Sequence, residues 1–468
     1  MQVIKKVNGS FKLDILYLMF VVMAGYFWQE RIINQDTAFT AFNLTALESF
    51  DIAHFRFTDV FTQIIPILMT KANLSLPTIL LSYSIALSLL PYLLFRAALY
   101  SLKDKGIAWL MLLAQILLVS DYFFDAISQS KLAIALVLLF AGLIKNKLSI
   151  HNKILYYFFV LTTMLLALLC HPISLLLIII LLFWLQVNKL IRNKDLVIIG
   201  TTLAAIAIAK HFIFPSSGYE NGMLSQLINP NNWAQLLQDN YVLEFIKGHF
   251  KSIYIWAVIF FLFLLFRFFR ANEKKLALAY LFCNISFFAL LLIVFKQGDS
   301  NMMMEKNLST LAIVVLLPFI GTETNSYYTL KSIRVRFFLP FLCLFFLNRI
   351  NKASDLFTDR QEKMESLIER AEPQGHKKYF INQEALSSTP EINLWSLPYE
   401  TALLSSLNGP GSTLTIKNIK EVQYWRGLHK NKKAFIGADF FMPYNTEKFK
   451  SKLYDFGKEE YFLLEVNQ

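Results

Sequence analysis

Apolar stretches recur down the whole chain, and most are long enough to cross a hydrocarbon layer, which takes roughly 20 helical residues or somewhat fewer. They run Ile15 to Trp28, Leu76 to Leu102, Ile107 to Val119, Leu132 to Ile144, Ile154 to Cys170 and Ile173 to Val187. Leu196 to Ala209, Ile253 to Phe269, Leu276 to Phe295, Leu308 to Ile320 and Phe337 to Leu347 follow. With 56% hydrophobic and only 17% charged residues among 468, no water-facing surface of ordinary size can be built. The expectation is an α-helical polytopic membrane protein of about 11 transmembrane helices.

Charge alternates between successive loops. Lys103/Lys105, Lys145/Lys147, Lys189/Arg192/Lys194 and Arg267/Arg270 mark one side, which the positive-inside rule makes cytoplasmic. The N-terminus is therefore expected inside and the long loops outside. The formal +12 sits where anionic inner-leaflet lipid attracts it, so it is no sign of nucleic-acid binding. Cys170, Cys283 and Cys343 lie in or at the end of apolar stretches and suggest neither a disulfide framework nor a metal cluster.

Four regions depart from a plain bundle: residues 30–73, the outer loops Phe214 to Lys251 and Lys296 to Asn307, and the tail. Residues 30–73 form a first outer loop. In it Phe39, Phe42, Ala46 and Phe50 recur at helical spacing opposite Asp36, Thr40 and Asn43, which predicts an amphipathic helix on the outer membrane surface. Val60 to Met69 is apolar, too short to cross and interrupted by Pro66, which predicts a re-entrant or interfacial helix. The tail, residues 351–468, opens with a charged helix (Ser354 to Ala371). Strands are predicted at Lys378 to Ile381, Thr413 to Ile416, Lys433 to Ile436 and Tyr461 to Val466, with a turn at Gly409-Pro410-Gly411. That predicts a small soluble α/β domain beside a transmembrane domain of residues 1–350. An odd number of spans puts the tail outside.

Phosphate-loop, nucleophile-elbow, HExxH and dinucleotide signatures are absent. What remains is a set of ionisable residues at the outer face, among them Asp36, Glu48, Asp51, Arg56, Asp59, Asp121, Asp125, Lys131, His171, Lys210, Asp299, Glu305 and Lys306. Charged groups beside hydrocarbon are costly to keep, so each is a functional candidate. Asp36 begins the loop helix, where it either caps the amides or takes a proton from a hydroxyl. Lys131 either snorkels to water or holds a phosphate. His171-Pro172 is either an interfacial turn or a phosphate contact, and Lys306 either a surface pair with Glu305 or a functional cation. Carboxylates such as Glu48, Asp51, Asp121 and Asp125 are candidates for acceptor or divalent-metal contacts.

The order of features resembles the GT-C superfamily of polytopic glycosyltransferases. Ile33-Asn34-Gln35-Asp36-Thr37-Ala38-Phe39, continuing to Leu47-Glu48-Ser49-Phe50-Asp51, is similar to that family's first-loop pattern. Ser130-Lys131-Leu132-Ala133 and His171-Pro172-Ile173-Ser174 resemble segments of related polysaccharide-building proteins, and Trp395-Ser396-Leu397-Pro398-Tyr399-Glu400 resembles parts of their outer domains. The resemblance implies a polyprenyl-phosphate-linked sugar as donor, membrane lipid around it, and a glycan, lipid or protein acceptor. It implies Asp36 as base, and Lys131, His171, Arg56 and Lys306 as donor-phosphate contacts. A polymerase or ligase of lipid-linked glycans, or a flippase, stays open beside it. The Lys, Asn, Ile and Phe bias points toward a bacterial inner membrane.

Overall fold

A computed structural model describes the chain except residues 1, 128, 148–151, 215–217, 235, 297–300, 322–332, 387–393, 421–429, 440–441 and 465–468. Asp299, and the end of the last predicted strand, lie outside the described residues.

The chain is mostly helical, with a small sheet region toward its C-terminus. Against an expectation of about eleven spans, five helices among the described residues are long and apolar enough to cross a membrane: Leu76–Ser101, Lys153–Cys170, Asn193–Ile213, Tyr241–Arg270 and Lys274–Val294. Lys105–Ile116 and Ile173–Val187 are apolar but shorter. These helices point to a membrane protein, and their exposure agrees. The most apolar window of Asn193–Ile213 is only 11% buried by protein, leaving Val197, Ile208 and Phe212 uncovered. Such a surface is stable against hydrocarbon and costly in water.

The stretch Leu308 to Ile320 is broken. Helices Asn301–Ser309 and Leu311–Val315 are followed by a 3₁₀ turn at Leu317–Phe319 with Pro318 in it. Leu311 to Ile320 are buried inside the bundle, where irregular backbone is tolerated because protein groups satisfy it. Tyr280 Oη donates to Val315 O (2.6 Å) and Trp184 Nε1 to Ile320 O (2.7 Å).

In the first outer loop the helix Gln35–Leu47 forms, but not on the lipid surface. Its apolar face is covered by the tail: Phe42 is fully buried, stacks on Phe435 at 4.6 Å and meets the edge of Tyr444. The aromatic tail surface outcompetes headgroups because it matches the helix face in shape as well as polarity. Glu48 ends the helix with a left-handed φ of 53°, so Phe50 falls outside it and is exposed. Val60–Lys71 runs helically through Pro66. Its exposed apolar residues are Phe61, Ile64, Ile65 and Leu68, beside the terminal Lys71, whereas Thr62, Gln63 and Thr70 are buried with Pro66 and Ile67. An outward face this apolar is stable against lipid and costly in water.

Helix Ile333–Ala371 runs unbroken for 39 residues, ~58 Å, so no linker separates the bundle from the tail at residue 350. In the tail, strand β1 (Lys378–Asn382) is central and parallel to both β2 (Thr415–Ile419) and β5 (Phe462–Leu463). Strands β3 (Ala434–Phe435) and β4 (Tyr444–Asn445) pair antiparallel. Helix Leu397–Ser406 is the crossover from β1 to β2 and packs on helix Gln35–Leu47. One hydrophobic core holds Ile33, Ala38, Phe42 and Leu44 of the first loop with Tyr379, Tyr399, Leu403 and Phe435 of the tail.

Candidate functional site

The site is organised by a short irregular segment, residues 118–127, which joins helix Lys105–Ile116 to helix Gln129–Lys145. Only a 3₁₀ turn at Asp121–Phe123 pairs its backbone locally, so side chains satisfy much of the rest. The buried Glu305 carboxyl accepts the amides of Ser120, Asp121 (3.2 Å) and Tyr122 (3.4 Å). Three cationic or amide groups serve the carbonyls. Lys131 Nζ donates to Tyr122 O (2.9 Å), Arg31 Nε to Phe123 O (3.2 Å) and Asn34 Nδ2 to Phe124 O (3.0 Å). Arg31 is fully buried and also donates to Ser84 and Ser88. Burial lifts the Glu305 carboxyl, with Asp121 adding to the rise and the amides opposing it, to about 8.

This arrangement corrects the expectation for Lys131. Its ammonium is buried, bonded to the Tyr122 carbonyl and seated 4.2 Å from the Tyr122 ring centroid. It braces the segment from within rather than standing open to a lipid phosphate. The carbonyl and the ring face offset only part of the cost of burying its charge, and burial, then the charge of Arg31, holds the amine well below the ordinary lysine range.

The segment carries Asp125, which pairs with Lys306 at 3.5 Å, both side chains buried. A second chain of contacts lies alongside. Arg56 Nη1 donates to Gln129 Oε1 (2.6 Å), and Gln129 Nε2 donates to Asp59 Oδ2 (2.8 Å). Burial raises the Asp59 carboxyl to about 7, while Gln129 and the charges of Arg56 and Lys306 pull it back. His171 follows helix Lys153–Cys170, and its Nδ1 accepts the Ile173 amide at 3.2 Å. Burial, then the charges of Arg56, Lys306 and Lys210, push its imidazole well below the ordinary histidine range. His171 is thus neutral, with one ring nitrogen already engaged. The structure brings Arg56, Asp59, Asp125, His171, Lys210 and Lys306 into one electrostatic neighbourhood.

Asp36 stands in the first turn of helix Gln35–Leu47, half-buried. The same turn touches the 118–127 segment, because Ile127 N donates to Thr37 Oγ1 at 3.2 Å. Asn34, just before it, reaches Phe124 O. Asp51 is held at the other end of the helix, where Thr40 Oγ1 donates to its Oδ2 (2.7 Å) and Gln63 bonds its backbone on both sides. Burial raises the Asp51 carboxyl, against the bonds from Thr40 and Asn43. Glu48 closes the helix and Asp121 lies beside Glu305.

Divalent-metal binding by Glu48, Asp51, Asp121 and Asp125 does not fit this layout. Among the described residues no three acidic, histidine or cysteine side chains converge, and Asp125 and Asp51 are engaged by Lys306 and Thr40.

Sequence reasoning missed three residues here. Arg31 looks like a flanking cation at the end of an apolar stretch, and nothing local marks it as buried. Arg360 and Glu400 form a buried ion pair at 2.5 Å beside the Asp36 helix. Glu400 ends the Trp395–Glu400 string, the one local signal that pointed to that region. No protein family, no curated protein and no solved structure matches the chain.

Proposed function

We propose that the chain is a membrane glycosyltransferase of GT-C type, moving a sugar from a polyprenyl-phosphate donor to an acceptor at the outer face of a bacterial inner membrane. The observation that carries this reading is the contact between the Asp36 helix turn and the segment bearing the Asp125–Lys306 pair. It joins the helix turn that bears the half-buried Asp36 to the segment whose Asp125 pairs with the buried Lys306. The resemblance of the first-loop and His-Pro segments adds to it.

In this mechanism Asp36 accepts the proton of an acceptor hydroxyl. The hydroxyl oxygen bonds to the anomeric carbon while the bond from that carbon to the phosphate oxygen breaks, its electron pair leaving with polyprenyl phosphate. Lys306, Arg56 and Lys210 meet the charge that develops on the phosphate, a contribution commonly worth a few kcal/mol. Neutral His171 offers a hydrogen bond without adding charge. The N-terminus is cytoplasmic and the tail outside.

The test is the surface-glycan and lipid-linked-sugar profile of a host lacking the gene, complemented with wild type or Asp36→Asn at matched expression. Loss of a glycan with accumulation of its lipid-linked precursor, restored by wild type alone, is expected. Restoration by both makes Asp36 a helix cap, and accumulation of single repeat units identifies a polymerase. An unchanged profile with counterflow in liposomes identifies a transporter instead.

A further inference from the structure

The backbone immediately before Asp36 is strained. Gln35 adopts a φ of 43°, the left-handed region that a non-glycine residue enters only when its surroundings insist. Asn34, the residue at the helix start, makes no side-chain bond into the helix. The first helical amide, that of Gln35, is instead held by Glu400, which comes from the tail 365 residues away and is fully buried.

One Glu400 oxygen, Oε1, accepts the Gln35 amide at 2.6 Å and the Ser396 hydroxyl at 2.8 Å. The other, Oε2, accepts Arg360 Nη2 at 2.5 Å. Arg360 Nη1 in turn donates to Asn34 Oδ1 at 3.0 Å, and Asn34 reaches on to Phe124 O. A single buried network therefore joins the tail, the strained start of the Asp36 helix and the segment that carries Asp125. A carboxylate at a helix start also favours the exposed amides there.

We infer that Glu400 is a positioning residue for Asp36, so that the tail is part of the catalytic unit rather than an appended module. The inference rests on Asp36 being the base proposed above. Glutamine cannot replace Glu400. An amide has one acceptor oxygen, whereas this side chain faces donors on both sides, so either orientation of the amide sets N–H against N–H or O–H.

The test uses full-length protein in lipid nanodiscs, with the lipid extract of the gene-deletion host as donor and that host's delipidated envelope fraction as the source of acceptor. Consumption of the accumulated lipid-linked sugar is followed against its concentration and scaled to the monodisperse, folded fraction. Glu400→Gln is expected to lower kcat about tenfold or more with KM within about twofold, as a misplaced base does. Ser396→Ala, which removes one bond from the oxygen that holds Gln35 and spares the ion pair, is expected to lower kcat about threefold with the same split. It carries the test should Glu400→Gln not fold. Asp36→Asn without turnover, together with wild-type kcat in folded Glu400→Gln or Ser396→Ala, removes the role of Glu400 alone. So does a rise in KM at unchanged kcat. Full turnover by Asp36→Asn, or none by wild type, removes the underlying reading and this inference with it.

Discussion

Two carboxyls near the site, Glu305 and Asp59, are pushed far above their ordinary range, each chiefly by burial. Glu305 is raised to about 8 from 4.5 chiefly by burial. Between those values the folded protein keeps a proton that the unfolded chain releases, so the contribution of Glu305 to stability falls as pH rises through that window. Thermal unfolding in detergent should therefore show wild type losing ground to Glu305→Gln between pH 5 and pH 8, and parallel curves would contradict the buried, proton-holding Glu305. Asp36 differs in kind, because its interest is chemical. If it is the base, Asp36→Asn should cost at least about 100-fold in donor consumption, the lower bound usual for general-base removal. Less than about threefold would leave only a cap. Asp36 was legible at its position, since an acid opening an amphipathic segment is visible in one dimension. The bracing role of Lys131 was not, because its partner is a backbone carbonyl, and every residue has one of those.

The helix Gln35–Leu47 shows how an element's face can be visible while its partner is not. The spacing of Phe39, Phe42 and Ala46 correctly announces an apolar stripe, but lipid and an aromatic protein surface are both apolar. Tail residues Phe435, Tyr444 and Tyr454 surround Phe42, and Gly437 gives Tyr399 its place, since a Cβ there would fall 2.0 Å from the phenol oxygen. Phe42→Ala should thus cost about 3–5 kcal/mol, as for a large core truncation, read as a lower melting temperature or reduced folded yield. Phe61→Ala, on the exposed side of helix Val60–Lys71 at 50% exposure, should change stability by much less. Equal losses at the two positions would argue that Phe42 faces lipid after all.

At the scale of the whole molecule, the tail and the first outer loop share one core while the tail hangs from a continuous 39-residue helix. Both therefore belong on the same side of the membrane, and the proposal puts that side outside. The three cysteines are buried, so Met442→Cys, at a position 90% exposed, gives the tail a reporter of its own. Right-side-out vesicles should react there with a membrane-impermeant maleimide. Reaction only after permeabilisation would turn the topology over and place Asp36 inside.

What the chain's one-dimensional pattern determined was the surroundings of its apolar runs, which demand hydrocarbon or protein around them. Helix starts, the strand–turn rhythm of the tail and the acid at position 36 were equally local, set by residues a few places apart. Tertiary structure decided which apolar runs face lipid and which, like Leu311 to Ile320, face protein. It decided that Lys131 turns inward, that Asp125 meets Lys306, and that Glu400 reaches the start of the Asp36 helix. Those outcomes depend on groups brought together from distant parts of the chain, where packing and the cost of an unsatisfied buried charge choose the partner, and residue spacing carries no record of that choice.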